Sequence, residues 1–142
     1  MAFYNIFISH AWRYSDHYNM VVNWINEEKI DNPNFFWRNY SVPQHDPLIS
    51  PDDPVGKKKL QTMLKEQIRP ATLIVVISGM YVAHSSWIDF EIDTSNEFSK
   101  YIIGLKPWGQ ERIPLKVSDN ADIMVGWNKK PLLDAIKATY FL

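Results

Sequence analysis

The chain has 142 residues, of which 46% are hydrophobic and 14% aromatic, enough for one globular domain with a substantial core. Fifteen basic residues stand against sixteen acidic ones, for a formal net charge of -1. This balance provides no overall positive field for nucleic acid or an anionic membrane surface, so neither is expected as a partner. We expect a single domain over residues 1–142.

Three further absences in the sequence bear on the compartment. The chain has no cysteine, and its N-terminal MAFYNIFISH enters a strand-like pattern without a basic segment followed by a signal-type apolar stretch. No apolar run approaches the roughly 18 residues that a membrane-spanning helix needs. Together these features predict a cytoplasmic protein.

Short apolar runs rich in β-branched and aromatic residues predict the strands. Such runs are typical of strands buried on both faces of a parallel sheet. Two weaker segments, with fewer apolar residues, are predicted as the second and last strands of the chain. The five predicted strands are Tyr4–Ile8, Phe35–Tyr40, Thr72–Ile77, Tyr101–Leu105 and Asp122–Val125.

Helical periodicity fills the intervals between these strands. Apolar residues recur at helical spacing over Tyr18–Ile25 and Leu60–Ile68, and a closing helix is predicted over Pro131–Tyr140 with proline in its first turn. Strands and helices that alternate in this way predict an α/β fold with right-handed crossovers. The expected architecture is a flavodoxin-like three-layer sandwich with a mostly parallel five-stranded sheet.

In such folds, ligands bind outside the carboxyl ends of the strands. The segments that follow the predicted strands are rich in Ser, His, Trp and Pro: SHAW from Ser9, SVPQHD from Ser41, SGMY from Ser78 and KPWG from Lys106. The loop Val42–Gly56, with four prolines and three aspartates, is long for a simple connection. It either covers the cleft or is a surface loop without a functional role.

Several familiar site types lack their sequence signatures. There is no GxGxxG and no GxxxxGK[ST], which argues against phosphate binding through a glycine-rich loop. The end of the third predicted strand carries Ser78 where a receiver domain would need an aspartate. The four histidines have no metal-ligand spacing, so no metal site is expected. No serine lies in a GxSxG nucleophile elbow.

The helix after the third strand carries the main catalytic candidate. Ser86 followed by Asp89 has the spacing of a capping box, which assigns Asp89 to the helix start rather than to catalysis. Glu91 follows Trp87 by one turn and borders an apolar stripe. From this pattern alone, Glu91 is either partly buried at a cleft or on a solvated helix face.

Segments along nearly the whole chain resemble the TIR-like family of bacterial immune systems, including the TIR proteins of Thoeris anti-phage defence. The segments are YNIFISHAW, FFWRNYSVPQHDP, IRPATLIVVISGMY, SSWIDFEI, KYIIGLKPWG and VGWN. The spacing from Trp87 to Glu91 matches the W-x-x-x-E of catalytic TIR domains. The resemblance implies a TIR-like fold and places on Glu91 the role of the glutamate that serves cleavage of NAD+ at the nicotinamide N-glycosidic bond.

The resemblance makes NAD+ a substrate, with no bound cofactor expected. An ordinary glycoside needs both an acid and a second carboxylate, whereas nicotinamide is already a cationic leaving group, so one carboxylate suffices. Around Glu91, tryptophans could stack on the bases, and serines or histidines could bind ribose or phosphate. Each also has a purely structural interpretation, as a core or loop-stabilising residue. These binding candidates are Ser9, His10, Trp12, Ser41, His45 and Trp87.

A catalytic member of this family would signal to a separate effector through a diffusible product: ADP-ribose, a cyclic isomer or a conjugate. Self-association into a homo-oligomer is also implied. Two other functions stay open. One is a non-catalytic adaptor that binds through aromatic surface such as Trp108 and Trp127, since this fold hosts both kinds of protein. The other is an N-glycosyl transferase that resembles nucleoside 2-deoxyribosyltransferases.

Overall fold

The computed structural model describes residues 2–9, 16–41, 54–109 and 112–142, apart from the side chains of residues 54–56 and 80–85. Within these ranges, strands and helices alternate along the chain. Each strand is followed by a helix that packs back on the sheet, as expected for parallel crossovers. The α/β architecture predicted from the sequence is confirmed.

One parallel sheet forms the middle layer, in the order β2-β1-β3-β4-β5. This confirms the flavodoxin-like prediction. The strand order changes direction between β1 and β3, so the carboxyl ends of these two strands mark the switch point of the sheet. The strands are β1 (Ala2–Ser9), β2 (Phe35–Asn39), β3 (Leu73–Ile77), β4 (Tyr101–Leu105) and β5 (Ile123–Val125).

The helices form the two outer layers. Short 3₁₀ turns follow β3 at Ser78–Met80 and the last helix at Thr139–Phe141. None of the helices within the described ranges has the length and apolar character needed to cross a bilayer. The α-helices are α1 (Asp16–Asp31), α2 (Pro54–Ile68), α3 (Tyr81–Glu97), α4 (Leu115–Asn120) and α5 (Lys129–Ala138).

Side-chain alternation along the strands separates two apolar cores. On one face, which we call the α1–α5 face, Ile6, Ile8 and Val75 pack with residues of α1 and α5 such as Ile25 and Leu132. On the opposite face, which we call the α2–α3 face, the core includes Phe7, Val76, Leu64, Ile88 and Ile92. The central strands are therefore buried on both sides, as their continuous apolar runs predicted.

Two helix predictions differ from the structure. The capping box is wrong, because α3 begins at Tyr81 and Ser86 is an exposed residue inside the helix. The 3₁₀ turn after β3 leads directly into α3, so the chain does not need a separate cap at Ser86. Helix α4 was not predicted, because its six residues bury only Val117 and leave no periodic stripe to detect.

The predicted loop Val42–Gly56 is shorter than expected at its C-terminal end. Helix α2 begins at Pro54, a first-turn position that proline favours because its missing N–H would have no intrahelical partner there. The remainder of the loop, residues 42–53, lies outside the described residues. The prediction that it covers the cleft therefore stays a prediction.

The sheet has two edge strands, and neither offers a long flat surface. Strand β5 contains three residues. On β2, the Arg38 guanidinium lies over the rings of Phe3 and Tyr40, at 5.7 and 5.9 Å from their centroids. A long cationic side chain thus lies across the face of this edge strand.

Candidate active site

Three serines end or follow neighbouring strands at the carboxyl edge of the sheet. Ser9 is the last residue of β1 and lies opposite Val76 of β3. Ser78 follows β3, and Ser41 lies just beyond β2. All three are buried. Because β1 and β3 flank the switch point, Ser9 and Ser78 occupy the place where this type of fold binds ligands.

Glu91 lies in the middle of α3 and is only 2% exposed. Its neighbours Ile88 and Ile92 belong to the core of the α2–α3 face. Ser9 points to the same face, because it lies two residues after Phe7 on β1. The Ser95 hydroxyl donates a 2.7 Å hydrogen bond to the Glu91 backbone carbonyl, which fixes this part of the helix. The solvated interpretation of Glu91 is therefore wrong.

Several buried side-chain oxygens at this site have no hydrogen-bond partner within the described ranges. Among the described residues, Ser9 Oγ, Ser78 Oγ and Glu91 Oε2 are buried without a hydrogen-bond partner. Each such oxygen costs about 1–3 kcal/mol relative to a satisfied one. Polar atoms left in this state at a strand-end cleft are suited to bind a ligand that carries hydroxyl groups.

Burial raises the pKa of the Glu91 carboxyl well above its ordinary value of 4.5, because the charged form loses its hydration. The nearby Ser9 hydroxyl offsets part of that rise, although its geometry falls short of a hydrogen bond. The resting carboxyl therefore favours the neutral form more than an exposed glutamate does. A positive charge brought beside it would favour the carboxylate instead.

Ser41 forms hydrogen bonds within the protein through both its hydroxyl and its backbone N–H. Its Oγ accepts a 2.7 Å hydrogen bond from the Ile8 backbone N–H, and its own N–H donates to Asn39 Oδ1 at 2.9 Å. The Asn39 side chain in turn donates to the Tyr18 hydroxyl at 2.9 Å. This chain of bonds ties the end of β2 to β1 and α1, which holds the cleft wall in place.

Trp87 is part of the core of the α2–α3 face. It is 8% exposed, and its ring meets Phe90 edge to face with centroids 6.3 Å apart. The indole therefore packs in the core and helps to hold α3 against the sheet. The other candidates predicted to bind the ligand, His10, Trp12 and His45, lie outside the described residues.

An aromatic group at the same edge joins three segments of the chain. The rings of His17 and Trp108 stack with centroids 3.5 Å apart, and Trp108 also contacts Trp127 at 5.2 Å. Trp127 contacts Trp24 at 5.0 Å. The two tryptophans considered as adaptor surface are thus half-buried against the α1–α5 core.

Sequence reasoning missed the contact between Trp108 and Gly79. A Cβ atom at Gly79 would lie 2.4 Å from two carbons of the Trp108 ring, so only glycine allows the ring to approach the turn after β3 this closely. Since Gly79 directly follows Ser78, the tryptophan packs against the turn that carries this serine. The single glycine in SGMY was the available signal.

The comparison with protein families gives a match over most of the chain. The family described as "Thoeris protein ThsB, TIR-like domain" matches residues 7–112. This range contains the switch point and Glu91. No curated protein sequence has significant similarity to the chain.

Solved structures of similar fold cover almost the whole chain. A 2-deoxyribosyltransferase from Bacillus psychrosaccharolyticus has a TM-score of 0.62 at 14% identity, with 96% of this chain and 95% of the other covered. A conserved protein from Enterococcus faecalis V583 has a TM-score of 0.62 at 12% identity, covering 97% and 99%. The CMP N-glycosidase BcmB from Clostridium botulinum has a TM-score of 0.50 at 14% identity, also covering 97% and 99%. At these identities the likeness establishes the fold.

Proposed function

The chain belongs to the Thoeris ThsB TIR-like domain family, and from this premise we propose that it cleaves NAD+ at the nicotinamide N-glycosidic bond with Glu91 as the catalytic carboxylate. The product would be a diffusible ADP-ribose derivative that activates a separate effector in anti-phage defence. The observation that carries the proposal is the buried Glu91 carboxyl beside Ser9 at the switch point.

The positive charge of the substrate would change the protonation state of the Glu91 carboxyl. An empty site favours the neutral form of Glu91 because burial raises its pKa. The nicotinamide ring is cationic, so its arrival favours the carboxylate and releases the proton to solvent. The carboxylate then stabilises the positive charge that moves onto the ribose as the C–N bond breaks. Nicotinamide leaves as a neutral molecule and carries away the bonding electron pair.

The nucleophile that completes the reaction determines the product. Attack by water gives ADP-ribose and releases a proton, attack by a group within the same molecule gives a cyclic isomer, and attack by an added small molecule gives a conjugate. During this step the hydroxyls of Ser9 and Ser78, which are buried and without partners in the described part of the chain, would hydrogen-bond the ribose. The proposal therefore assigns binding to the serines and charge stabilisation to Glu91.

A second candidate function is supported by the same raised pKa. A neutral Glu91 carboxyl is a proton donor, and cleavage of an uncharged nucleoside is assisted by protonation of the leaving base. The proteins of similar fold include a 2-deoxyribosyltransferase and a CMP N-glycosidase. N-glycosyl transfer or hydrolysis on free nucleosides is therefore the alternative.

The test is nicotinamide release from NAD+ by the purified protein, with and without lysate from phage-infected cells. We expect Glu91→Gln to reduce the rate about a hundredfold to a thousandfold, the loss typical of removing one group that stabilises transition-state charge. Glu97→Gln is the matched control, since Glu97 lies on the same helix but is exposed and pairs with Lys65. Equal rates in the Glu91 variant and the wild type would contradict the proposal.

The pH profile and a second substrate distinguish the two candidates. A carboxylate mechanism predicts that kcat/KM for NAD+ rises with pH as Glu91 ionises, whereas a proton-donor mechanism predicts a fall over the same range. Base release from free nucleosides without nicotinamide release would select the alternative. No release from either substrate, by protein shown to be folded and assembled, would favour the adaptor interpretation.

A further inference from the structure

The cationic side chains of this protein are distributed unevenly between paired and unpaired positions. Most of the described lysines and arginines have partners. Lys65 pairs with Glu97, Lys116 with Asp93 and Lys130 with Asp134. Lys129 and Lys137 bind acidic residues of α1, Lys100 donates to a backbone carbonyl, and Lys29, Arg38 and Arg69 lie over aromatic rings.

The cations without a partner in the described ranges lie on segments at the carboxyl edge. Lys57, Lys58 and Lys59 are exposed residues in the first turns of α2, which begins at this edge because it runs antiparallel to the strands. Lys106 directly follows β4, and Arg112 lies in the connection from β4 to α4. In the part of the chain that the structure describes, positive charge without a partner is therefore concentrated at the end of the sheet that holds Glu91.

Packing between α2 and α3 places the three lysines near the level of Glu91. The two helices run in the same direction on one face of the sheet. Lys65 of α2 reaches Glu97 of α3 at 3.9 Å, and the Arg69 guanidinium lies 5.2 Å from the centroid of Phe98. Each contact joins a residue of α2 to one about thirty positions later. The same offset places Lys59 level with the stretch from Ile88 to Glu91.

Three consecutive lysines are poorly placed for the stability of α2. The first turn of this helix contains no acidic residue, and lysine charges near the positive end of a helix dipole are unfavourable. The like charges of three consecutive residues also repel one another. An anionic ligand at this end of the helix would reverse both effects, because it would be attracted by the lysines and by the dipole.

We propose that Lys57, Lys58 and Lys59 bind the phosphate groups of the substrate, so that the site selects dinucleotides over nucleosides. This inference rests on the proposed function, since NAD+ carries a diphosphate next to the ribose that Glu91 would contact. The cluster comprises three lysines in a chain of net charge -1. That is a footprint suited to one diphosphate and too small for the many phosphate contacts of a nucleic acid.

The kinetic test compares two substrates that share the reacting bond. NAD+ has the diphosphate, and nicotinamide riboside has the same N-glycosidic bond without phosphate. For the combined Lys57→Gln, Lys58→Gln and Lys59→Gln variant, we expect KM for NAD+ to rise about tenfold, the scale of several exposed charge contacts, with kcat within about twofold. For nicotinamide riboside, kcat/KM should stay unchanged.

Lys130→Gln is the matched control, because Lys130 is also an exposed lysine in the first turn of a helix but pairs with Asp134 on α5. It should leave KM for both substrates unchanged. The wild-type KM for NAD+ should also rise more steeply with salt than that of the triple variant. An unchanged KM for NAD+ in the triple variant, or equal losses on the two substrates, would overturn the proposal.

A binding measurement separates failure of this inference from failure of the proposed function. Titration calorimetry with ADP-ribose, which keeps the diphosphate but has no nicotinamide, needs no catalysis. Weaker ADP-ribose binding by the triple variant than by the wild type and Lys130→Gln would support the lysine site even if no protein released nicotinamide. Equal affinities in all three proteins, or no binding by the wild type, would overturn it.

Discussion

The two faces of the sheet satisfy their polar groups to different degrees. On the α1–α5 face, polar side chains such as Trp37 and Asn39 form hydrogen bonds. On the α2–α3 side lie the buried side-chain oxygens without a partner in the described ranges. These oxygens belong to Asn5, Ser9, Ser78, Asp89 and Glu91.

The difference separates stability from ligand binding. Buried polar atoms that stay unpaired lower the stability of the fold, so their concentration on one side indicates that this side is shaped for something other than stability. In its described part, the α1–α5 face has no comparable set of buried oxygens without a partner. It should therefore act as the rigid support against which the α2–α3 face holds its ligand.

The largest effect on stability is expected from truncating an apolar residue. Ile25→Ala on the α1–α5 face and Ile92→Ala on the α2–α3 face, both fully buried, should each lower the free energy of unfolding by about 2–5 kcal/mol. Only Ile92→Ala should also reduce nicotinamide release by the folded protein, because Ile92 adjoins Glu91. Urea unfolding and the release assay, at a temperature where both variants are folded, measure the two effects.

Ile30→Ala is the control, since Ile30 lies on the same helix as Ile25 but is 79% exposed. Its free energy of unfolding should stay within about 0.5 kcal/mol of the wild type. Equal losses of activity in Ile25→Ala and Ile92→Ala would remove the proposed division between the faces.

A smaller loss is expected where the turn after β3 meets Trp108. Gly79→Ala places a methyl group 2.4 Å from the Trp108 ring, so the ring must shift, at a cost of about 1–3 kcal/mol. Thermal unfolding followed by tryptophan fluorescence should show a lower Tm and an altered emission of the folded state. Gly126→Ala, where a methyl group meets no atom within 4 Å, should leave both unchanged.

Replacing the buried Glu91 should increase stability, in contrast to the substitutions above. Glu91→Gln should raise the free energy of unfolding at pH 8 by about 1–3 kcal/mol, since glutamine has no charged form whose hydration is lost on burial. Because burial raises the folded-state pKa of Glu91, the folded wild type binds a proton more tightly than the unfolded chain does. Wild-type stability therefore falls as pH rises through that raised pKa.

The stability gain of Glu91→Gln should consequently shrink as the pH is lowered, and it should disappear below the ordinary glutamate pKa of 4.5, where Glu91 is neutral in both states. Urea unfolding of both proteins between pH 4 and pH 8.5 measures this window. Glu97→Gln, an exposed substitution on the same helix, should give no such pH-dependent difference. A gain of constant size across the range would contradict the role of burial.

The smallest effect is expected from an exposed ion pair. Lys130 and Asp134 are 2.9 Å apart on α5, and their side chains are 85% and 59% exposed. Lys130→Gln should change Tm by less than about 2 °C, because solvent screens such pairs. A larger change would mean that the charges of the α1–α5 side contribute more to stability than its apolar core suggests.

The strands and the main catalytic candidate could be predicted because their signals are local. The apolar run ending at Ile77 is buried throughout β3, and β4 has the predicted bounds Tyr101–Leu105. Glu91 could be placed beside an apolar stripe by counting helical turns. Its nearly complete burial could not, because that depends on Ser9 and α2, which are distant in the sequence.

Other features depended on three-dimensional contacts that no local pattern contains. Ser41 was expected at the ligand, yet its bond to the Ile8 backbone N–H joins residues far apart in the sequence. The capping box at Ser86 was wrong because a 3₁₀ turn, set by the end of β3, starts the helix earlier. The lysines of α2 were visible as a run, but only the pairing of the other cations made them distinctive.

The guanidinium of Arg38 on the edge strand β2 has a consequence for assembly. Exposed strand edges can recruit strands from other molecules and lead to aggregation. Here one edge carries a cation folded over Phe3 and Tyr40, and the other consists of three residues. Both arrangements disfavour the addition of a further strand. Copies of this chain that associate should therefore meet through helices and loops, which leaves the hydrogen-bonded sheet of each copy intact.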